Sequence, residues 1–454
     1  MIRSGSLRPG DRLPSVRALS RSRRVSPSTV LQAYDSLVAE GLIEPRPRSG
    51  YFVLRQASLT VTPRFPASRG RPTRVAVSDL VFDILEASRD RGIVPLGSAF
   101  PGPGQFPWAK LARYLGSRAR RLDPWQTVES LPPGSLELRR EIARRYLAMG
   151  MSIGVEQIII TSGALEALSL SLETVVRRGD AIAVESPAFY GCLQAAERLG
   201  VHVVEIPTHP TEGVDLTALS AAVSRGGIKA CWLMTTLQHP TGATMSRDRK
   251  RRLVEMLSER GIPLIEDDAY AELQYSPPVP PAKAFDEKGY VLHCGSFSKC
   301  LAPGYRLGWV AAGRFTRQVA RRKIESTLAT SLPVQLAIAE MMRHGGYEGH
   351  LVQLRRRLAI QQRAALDSIR RHFPEGYRLA PPSGGYFLWI ECAQAVDSLT
   401  VHRLALDFGI SIAPGPMFSA RRRFRNYLRL NYGHPWLAPM DQAVQRLGQI
   451  LRRF

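Results

Sequence analysis

Apolar and polar positions alternate in two different ways along this chain of 454 residues. In the long C-terminal part, short runs that are apolar nearly throughout are separated by amphipathic stretches such as 164–176 and 248–261. Such runs are typical of strands buried on both faces of a sheet, and the stretches between them have the period of helices. The predicted strands are 157–161, 181–186, 201–207, 230–236, 262–268, 290–296 and 307–313. Alternating strands and helices predict an α/β fold with a mostly parallel sheet, which binds ligands at the carboxyl ends of its strands.

The two ends of the chain follow other patterns. An Arg- and Leu-rich helical pattern at 335–372, followed by Gly-rich short strands, predicts a smaller α+β subdomain over about 330–454. Residues 1–55 contain short helical patterns and end in a turn-rich hairpin, while 56–76 mix Pro, Ser, Gly and Arg without an apolar period. We therefore expect an N-terminal unit at 1–55, a linker at 56–76 and a large unit at 77–454.

The N-terminal unit contains two predicted helices, the first over 13–22. In the second, Ser26 and Pro27 suit the N-cap and the first helical position. Its outward-facing residues near the start are Ser28, Thr29 and Gln32. Short polar side chains let a helix approach phosphates and a glutamine can reach base edges, as a DNA-recognition helix requires. Because any small helical segment also has a capped end and a polar face, the pattern alone leaves both interpretations open.

The charge of the chain is strongly positive, with a formal net charge of +23. Residues 1–55 hold ten arginines against four acidic residues, and no lysine occurs there. Such a surface attracts polyanions such as double-stranded DNA. Arginine is also plentiful in the last hundred residues, so a composition bias remains an alternative explanation of the overall charge.

The string from Arg8 to Val53 resembles the winged helix-turn-helix of the GntR family. The segments that carry the resemblance are RPGDRLPSVRALS and VSPSTVLQAYDSLVAEGLIEPRPRSGYFV. The resemblance implies binding to a double-stranded DNA operator. The residues implied to meet DNA are Arg17, Ser26, Ser28, Thr29 and Gln32 from the helices and Arg46, Arg48 and Gly50 from the wing.

Two features depart from the GntR pattern. Family members have an additional first helix whose end corresponds to residues 2–5, so the first helix is missing here and we expect the true N-terminus to lie upstream of Met1. Arg23 and Arg24 stand where the family usually has Leu-Gly, so a turn normally made by glycine must be made by a residue that tolerates it less well. A weakened DNA-binding unit is the alternative.

Other compartments and metal chemistry are not indicated. The sequence has no apolar run of about 18 residues and no charged-then-apolar leader, which predicts a cytoplasmic protein that does not enter a membrane. The five cysteines lack C-x-x-C spacing, so we expect reduced packing thiols and no metal site.

The strongest chemical signal is the string CGSFSKCLAPGYRLGWV at 294–310. Lys299, one of seven lysines, follows a predicted buried strand in a Ser/Gly turn, with Arg306 seven positions later. A desolvated amine beside another cation is held neutral, which makes it a nucleophile for carbonyl groups. Taken alone, a lysine at the edge of the core is more often structural.

Neighbouring motifs strengthen the chemical interpretation. The string IPLIEDDAY ends a strand with carboxylates, and an electron-sink pyridine requires one carboxylate at its ring nitrogen. TSGALEA at 161–167 joins a strand to a helix through 162–164, whose free amides would cradle a phosphate. ESPAFYGC places Phe189 where its ring could stack on a planar cofactor, although a core aromatic would look the same.

Together these motifs resemble, in order and spacing, the fold-type I aminotransferases over about residues 80–454. The resemblance implies pyridoxal 5'-phosphate as cofactor, with Lys299 attached to it, Asp267 at the pyridine nitrogen and Tyr270 at the ring hydroxyl. It implies that Phe189 stacks on the ring and that Arg429, in YLRLNYG, binds the α-carboxylate of an amino acid. PPSGGYFLWIE at 381–391 matches the strand that opens the small subdomain. The implied phosphate ligands are Ser162, Gly163, Ala164, Ser296, Ser298 and Arg306.

The aminotransferase pattern is also incomplete. His239, in LQHPTG, replaces the asparagine that donates to the ring hydroxyl, and a protonated histidine there would alter the chemistry of the cofactor. The tyrosine by which the family reaches a neighbouring subunit's phosphate has no clear match before Pro132. A homodimer is implied by the resemblance.

A winged helix joined to an aminotransferase-like domain is the architecture of MocR-type regulators. This resemblance implies a transcription regulator that senses pyridoxal phosphate or a small amino acid or amine effector. The alternative is an active aminotransferase with a degenerate N-terminal unit, and a decarboxylase is a further one that Arg429 disfavours.

Overall fold

The computed structural model describes residues 7, 10–39, 42–46, 49–53, 62–63, 71–87, 90, 92–275 and 278–454. The helices of this part are α1 (Val16–Arg23), α2 (Pro27–Ala39), α3 (Ser78–Ala87), α4 (Trp108–Arg120), α5 (Leu136–Ala148), α6 (Ala164–Val175), α7 (Tyr190–Leu199), α8 (Leu216–Ser224), α9 (Arg247–Glu259), α10 (Thr316–Ser326), α11 (Leu332–Arg343), α12 (Gly346–His372), α13 (Ser398–Leu406) and α14 (Ala438–Leu451). The strands are β1 (Ile43–Arg46), β2 (Gly50–Val53), β3 (Ile158–Thr161), β4 (Ala181–Ser186), β5 (His202–His209), β6 (Gly213–Val214), β7 (Ile228–Leu233), β8 (Leu264–Asp267), β9 (Val291–Ser296), β10 (Gly308–Ala311), β11 (Arg378–Leu379), β12 (Phe387–Glu391), β13 (Ala413–Pro414) and β14 (Tyr427–Asn431).

The N-terminal unit consists of α1, α2 and the antiparallel hairpin β1–β2. Val30, Tyr34 and Val38, spaced by four along α2, are buried against Ile43 and Val53 of the hairpin. Helix α1 begins two residues after Pro14, because the side chain of Ser15 caps it by accepting from the amide of Ala18 at 3.2 Å. The helical period of the apolar residues therefore decides which face of α2 is internal.

Arg24 ends α1 in the left-handed region, with φ of 53°. The expectation that a residue poorly suited to this turn has to make it is thus confirmed. A residue with a Cβ atom is sterically strained in this region, whereas glycine is not.

The large unit is built on an eight-stranded sheet in the order β3-β10-β9-β8-β7-β4-β5-β6. Strands β9, β8, β7, β4 and β5 run parallel, while β10 is antiparallel to both of its neighbours. Helices cover both faces, because alternate residues of the apolar strands enter different clusters: Ile159 and Val310 pack with α6 and α7, and Ile160 and Trp309 pack with α5. The predicted α/β class with a mostly parallel sheet is confirmed.

The smaller C-terminal sheet is antiparallel, in the order β11-β12-β14-β13, and buried residues of β12 and β14 share one hydrophobic cluster with residues of α12 and α14. Part of the segment predicted as linker is packed as well: Thr73 pairs with Val203 of β5, and Val75 is buried. None of the described helices combines the length and the hydropathy needed to cross a membrane.

Candidate cofactor and DNA sites

A cavity of about 570 Å³ lies at the carboxyl ends of the central strands. The predicted site residues that line it are Ala164, Phe189, Asp267, Tyr270, Ser296, Ser298, Lys299 and Arg306. They converge because the turns after β3, β4, β8 and β9 meet at one edge of the sheet. The structure thus brings together motifs that are up to 142 residues apart in the chain, from Ala164 to Arg306.

Lys299 lies in this cavity, and its amine forms no salt bridge with a carboxylate of the part of the chain that the structure describes. Its Nζ donates to the backbone oxygen of Ala99 at 3.0 Å and lies 3.9 Å from the centre of the Phe100 ring. Burial lowers the pKa of the Lys299 amine to about 7, and the nearby guanidinium groups of Arg306 and Arg429 add to the effect. A large fraction of the amine is therefore neutral near pH 7 and able to attack a carbonyl carbon.

Asp267 and Tyr270 line the same cavity as Lys299. Asp267 ends β8 and is almost fully buried, and this burial raises the pKa of its carboxyl to about 7, with Asp268 contributing. The ring centre of Tyr270 is 5.8 Å from Lys299 Nζ, and burial also raises the pKa of the Tyr270 hydroxyl. A buried carboxylate without a pairing cation suits a partner that brings a proton of its own, such as a pyridinium.

The predicted phosphate ligands surround the start of α6. Gly163 has φ of +96°, a conformation that favours glycine, and a Cβ atom there would lie 2.8 Å from Arg306 Nη2 and displace the guanidinium. Arg306 Nη1 donates to Ser298 Oγ at 3.2 Å. The expectation that the amide of Ser162 is free is wrong, because it donates to the carboxylate of Glu166, which also pairs with Lys323. The hydroxyl of Ser162 lies 3.4 Å from that of Thr330.

His239 lies next to the cavity residues, with its ring stacked on Phe387 at 4.5 Å. Neither ring nitrogen has a hydrogen-bond partner among the described residues, although the side chain is buried. Burial and the charges of Arg429 and Lys299 hold the pKa of His239 well below its usual value, so the ring is neutral. A neutral imidazole can donate one hydrogen bond and accept another, and the protonation considered from the sequence is disfavoured.

Arg429, on β14, is held by the backbone of the segment 97–100. Its Nη1 donates to the oxygen of Ser98 at 2.7 Å and its Nη2 to that of Gly97 at 2.6 Å, while Nε has no partner among the described residues. The guanidinium stacks on Phe387 at 4.4 Å. Arg429 therefore reaches the cofactor region, but backbone oxygens occupy the groups expected to bind a carboxylate.

Sequence reasoning missed the segment 97–100 and the aromatic residues Tyr386 and Phe387. The segment is fastened at several points, since Asn431 Nδ2 donates to the oxygens of Ser98 and Phe100 and Tyr386 donates to that of Ala99 at 3.2 Å. The Gly- and Pro-rich string GSAFPGPG was the available signal of a functional loop. Its contacts could not be read from the sequence because they are made by backbone oxygens.

The predicted DNA-contacting residues lie in the N-terminal unit. Ser26 caps α2 by accepting from the amide of Thr29 at 3.1 Å. Arg17, Ser28, Thr29 and Gln32 are exposed, and Gly50 begins β2 with φ of +99°. Arg46 pairs with Glu44 at 2.8 Å and covers the ring of Phe52, so part of its guanidinium is already engaged. Arg48 lies outside the described residues.

The chemical groups in and beside the cavity fit those of pyridoxal phosphate. It offers an amine with a lowered pKa, a buried carboxylate, and an arginine beside a glycine that leaves room at a helix start, and next to it lies a neutral imidazole whose nitrogens have no partner in the described ranges. The five cysteines are all buried and free of disulfides, and no group of three or more metal-binding side chains occurs within the described ranges.

Comparisons with known proteins agree with both halves of this description. The family "Aminotransferase class I and II" matches residues 124–447, and "Bacterial regulatory proteins, gntR family" matches residues 1–53. The chain is 43% identical over 453 residues to the HTH-type transcriptional regulator YdcR of Escherichia coli, covering 99% of this chain and 96% of that protein. It is 37% identical to YjiR of the same organism, covering 100% of this chain and 96% of that protein.

The large unit is also similar to solved aminotransferases. Kynurenine aminotransferase of Pyrococcus horikoshii superposes with a TM-score of 0.75 at 29% identity, covering 82% of this chain and 94% of that one. LysN, the α-aminoadipate aminotransferase of Thermus thermophilus, superposes with a TM-score of 0.75 at 28% identity, covering 84% of this chain and 96% of that one. Pyridoxal phosphate is the cofactor of this fold. The chain belongs to the HTH-type transcriptional regulators of the MocR type, in which a gntR-type DNA-binding region precedes an aminotransferase class I and II domain.

Proposed function

We propose that this regulator changes its affinity for a double-stranded DNA operator when pyridoxal phosphate, alone or with a small amino acid or amine effector, binds at Lys299. The observation that carries the proposal is the shared attachment of Lys299 and Arg429. Both cations donate to backbone oxygens of the segment Gly97–Ala99. A ligand that engages both cations competes with this segment.

The roles proposed for the site residues follow from their positions. Bound pyridoxal phosphate supplies a carbonyl carbon to which an amine can be joined and a ring that withdraws electrons from it. Lys299 offers the neutral amine, Asp267 holds a proton at the ring nitrogen, and Tyr270 and His239 orient the ring hydroxyl. The backbone of Gly163 and Ala164 and the side chains of Ser162, Ser296, Ser298 and Arg306 hold the phosphate, and Phe189 covers the ring. Arg429 has an Nε–H left for the carboxylate of an amino acid.

We propose that the segment Gly97–Ala99 transmits ligand binding to the DNA-binding unit. It follows α3, which follows the linker and the N-terminal unit, and α2 lies beside α12 of the large unit. A ligand can change DNA affinity only by binding two arrangements with different strength. We propose that ligand binding releases the oxygens of Gly97 and Ser98 from Arg429, so that these bonds are present in one arrangement and absent from the other.

In the DNA complex, we propose that Arg17, Ser26, Ser28, Thr29 and Gln32 contact the operator from the helices. Arg46, Arg48 and Gly50 contact it from the wing. Because the operator is chromosomal DNA, the proposal places the protein in the cytoplasm. The proposed organisation is a DNA-binding unit at 1–55, a linker at 56–76 and a cofactor-binding unit at 77–454, with the small subdomain over about 330–454.

The proposal includes a homodimer. The segment 124–131 exposes large apolar side chains, with Trp125 at 80% and Val128 at 59% exposure. Such a cluster on a monomer marks a contact with another protein surface. Light scattering should give twice the mass of the chain for the native protein and a lower mass for Trp125→Glu.

The test of the proposal uses a duplex selected from a random 30-base-pair pool by the cofactor-loaded protein. We expect loading with pyridoxal phosphate to change the affinity for this duplex by about 5- to 150-fold. Lys299→Ala should abolish the change and the visible absorbance of bound cofactor, while the exposed control Lys288→Ala should keep both. Equal affinities with and without cofactor contradict the proposal. Rapid formation of α-keto acids without DNA binding would favour the aminotransferase alternative.

A further inference from the structure

A second cavity, of about 540 Å³, lies behind the cofactor cavity on the α5 side of the sheet. Its floor is formed by Asp268, His293 and Trp309, and its walls by α5, α12 and the prolines of 278–281. Ser296 lines both cavities. The second cavity is therefore separated from the cofactor by a single layer of the sheet.

A chain of hydrogen bonds along the floor leads to Asp268. Trp309 Nε1 donates to the Tyr146 hydroxyl at 2.9 Å, and that hydroxyl is 2.7 Å from His293 Nδ1. His293 Nε2 is 2.8 Å from Asp268 Oδ2. Indole can only donate, and when the Tyr146 hydroxyl donates to His293 Nδ1, the Nε2–H of the imidazole donates to the aspartate. In that arrangement each hydrogen bond of the Trp309–Tyr146–His293 series is donated toward Asp268.

The second oxygen of Asp268 is left without a donor. Oδ1 has no hydrogen-bond partner among the described residues, although the side chain is only 4% exposed. The nearby Lys250 donates instead to Thr236 Oγ1 at 2.6 Å and to the oxygen of Pro280 at 2.8 Å. A buried carboxylate oxygen without a donor costs free energy that a ligand with an N–H group would recover.

The rim of the cavity does not favour an anionic ligand. Arg145 pairs with Glu272 at 2.5 Å and with Glu348, and Arg355 Nε donates to the oxygen of Glu272 at 2.6 Å. The guanidinium groups of these two residues are thus engaged by carboxylate and carbonyl oxygens. Arg247 also lines the cavity, at an exposed position with its guanidinium over the ring of Phe285, and Ile142, Met149 and the ring of Trp309 form the apolar part of the lining.

We propose that the second cavity binds a small organic ammonium compound with an apolar body, whose N–H⁺ donates to Asp268 Oδ1 while the body packs against Trp309 and Ile142. This site is distinct from the position of an effector joined to the cofactor at Lys299. Asp268 follows Asp267 directly, so occupancy of the second cavity also acts on the carboxylate that meets the cofactor.

The ligand for the test is N,N-dimethylbenzylamine, because a tertiary amine carries one N–H⁺ but cannot condense with pyridoxal phosphate. We expect saturable heat in calorimetric titration of the cofactor-loaded protein, and at least tenfold weaker binding of benzyl alcohol and of benzyltrimethylammonium, which lacks the N–H. Lys299→Ala should bind the amine as the native protein does. Because Lys299→Ala removes the attachment of the cofactor, binding of the amine to this variant tests the second cavity independently of the proposed function.

Two variants test the location. Asp268→Asn should weaken binding by about tenfold or more, whereas Glu255→Gln, an exposed carboxylate on α9, should not. Ala148→Phe fills the cavity from the exposed end of α5 and should abolish binding without touching the floor. Addition of the amine should shift the visible absorbance of the cofactor in the native protein but not in Asp268→Asn or Ala148→Phe. Equal binding of benzyl alcohol, unchanged binding in Ala148→Phe, or no heat at millimolar amine would overturn the proposal.

Discussion

At the scale of single residues, the lowered pKa of Lys299 makes cofactor capture depend on pH. With a pKa of about 7, the neutral fraction of the amine rises roughly tenfold between pH 6 and pH 8 and then levels off. A lysine with an ordinary pKa near 10.4 would continue to gain neutral amine up to about pH 10. Stopped-flow absorbance after mixing cofactor-free protein with pyridoxal phosphate measures the capture rate. A rate that keeps rising tenfold per pH unit above pH 8 would contradict the lowered pKa.

The surroundings of His239 predict that its ring contributes to cofactor affinity. Replacing His239 by Phe keeps the stack on Phe387 and removes the two ring nitrogens that have no partner within the described part of the chain. We expect cofactor affinity to fall about 3- to 10-fold, since one hydrogen bond is lost, while the thermal stability of the cofactor-free protein stays equal or rises. His239→Asn restores a donor and serves as the control. If His239→Phe binds the cofactor as tightly as the native protein, the imidazole is not a ligand.

At the scale of elements, the end of α1 is the strained point of the N-terminal unit. Arg24 adopts φ of 53°, which costs a residue with a Cβ atom about 1 kcal/mol relative to glycine. Arg24→Gly should therefore raise the local unfolding free energy of α1 and α2 by about 0.5–1 kcal/mol over Arg24→Ala, which removes the same charge. Amide hydrogen exchange of the full chain measures this difference. Identical exchange in the two variants would show that the turn is not strained in solution.

At the scale of the whole molecule, positive charge sets the salt dependence of DNA binding. Arg17 is exposed on α1, so a phosphate contact by it releases about one counterion. We expect Arg17→Ala to lower the slope of log affinity against log salt by about 1, on specific and random duplexes alike. Arg321→Ala, an exposed arginine on α10 of the large unit, is the matched control. An unchanged slope in Arg17→Ala would remove this residue from the DNA interface.

The large unit shows how far the sequence could be interpreted. Apolar runs such as 291–296 predicted the buried strands because both faces of each strand are covered, and the motifs around Lys299 and Asp267 predicted which strand ends meet. The reversal of β10 was not predicted, because an apolar run carries no information on strand direction. The free amide expected at Ser162 was wrong, since the carboxylate of Glu166, in the first turn of α6, accepts from it.

The sequence by itself determined the two-part architecture, the buried strands and the kinds of side chain at the cofactor site, because these depend on local period and on residue type. Only the tertiary structure decided which atoms are still free to act. Backbone oxygens of 97–100 engage Lys299 and Arg429, Phe387 stacks on a neutral His239, and Asp268, which lines a second cavity, has one oxygen without a partner among the described residues. These outcomes depend on contacts between segments far apart in the chain, and burial there sets both the pKa values and the hydrogen-bond partners.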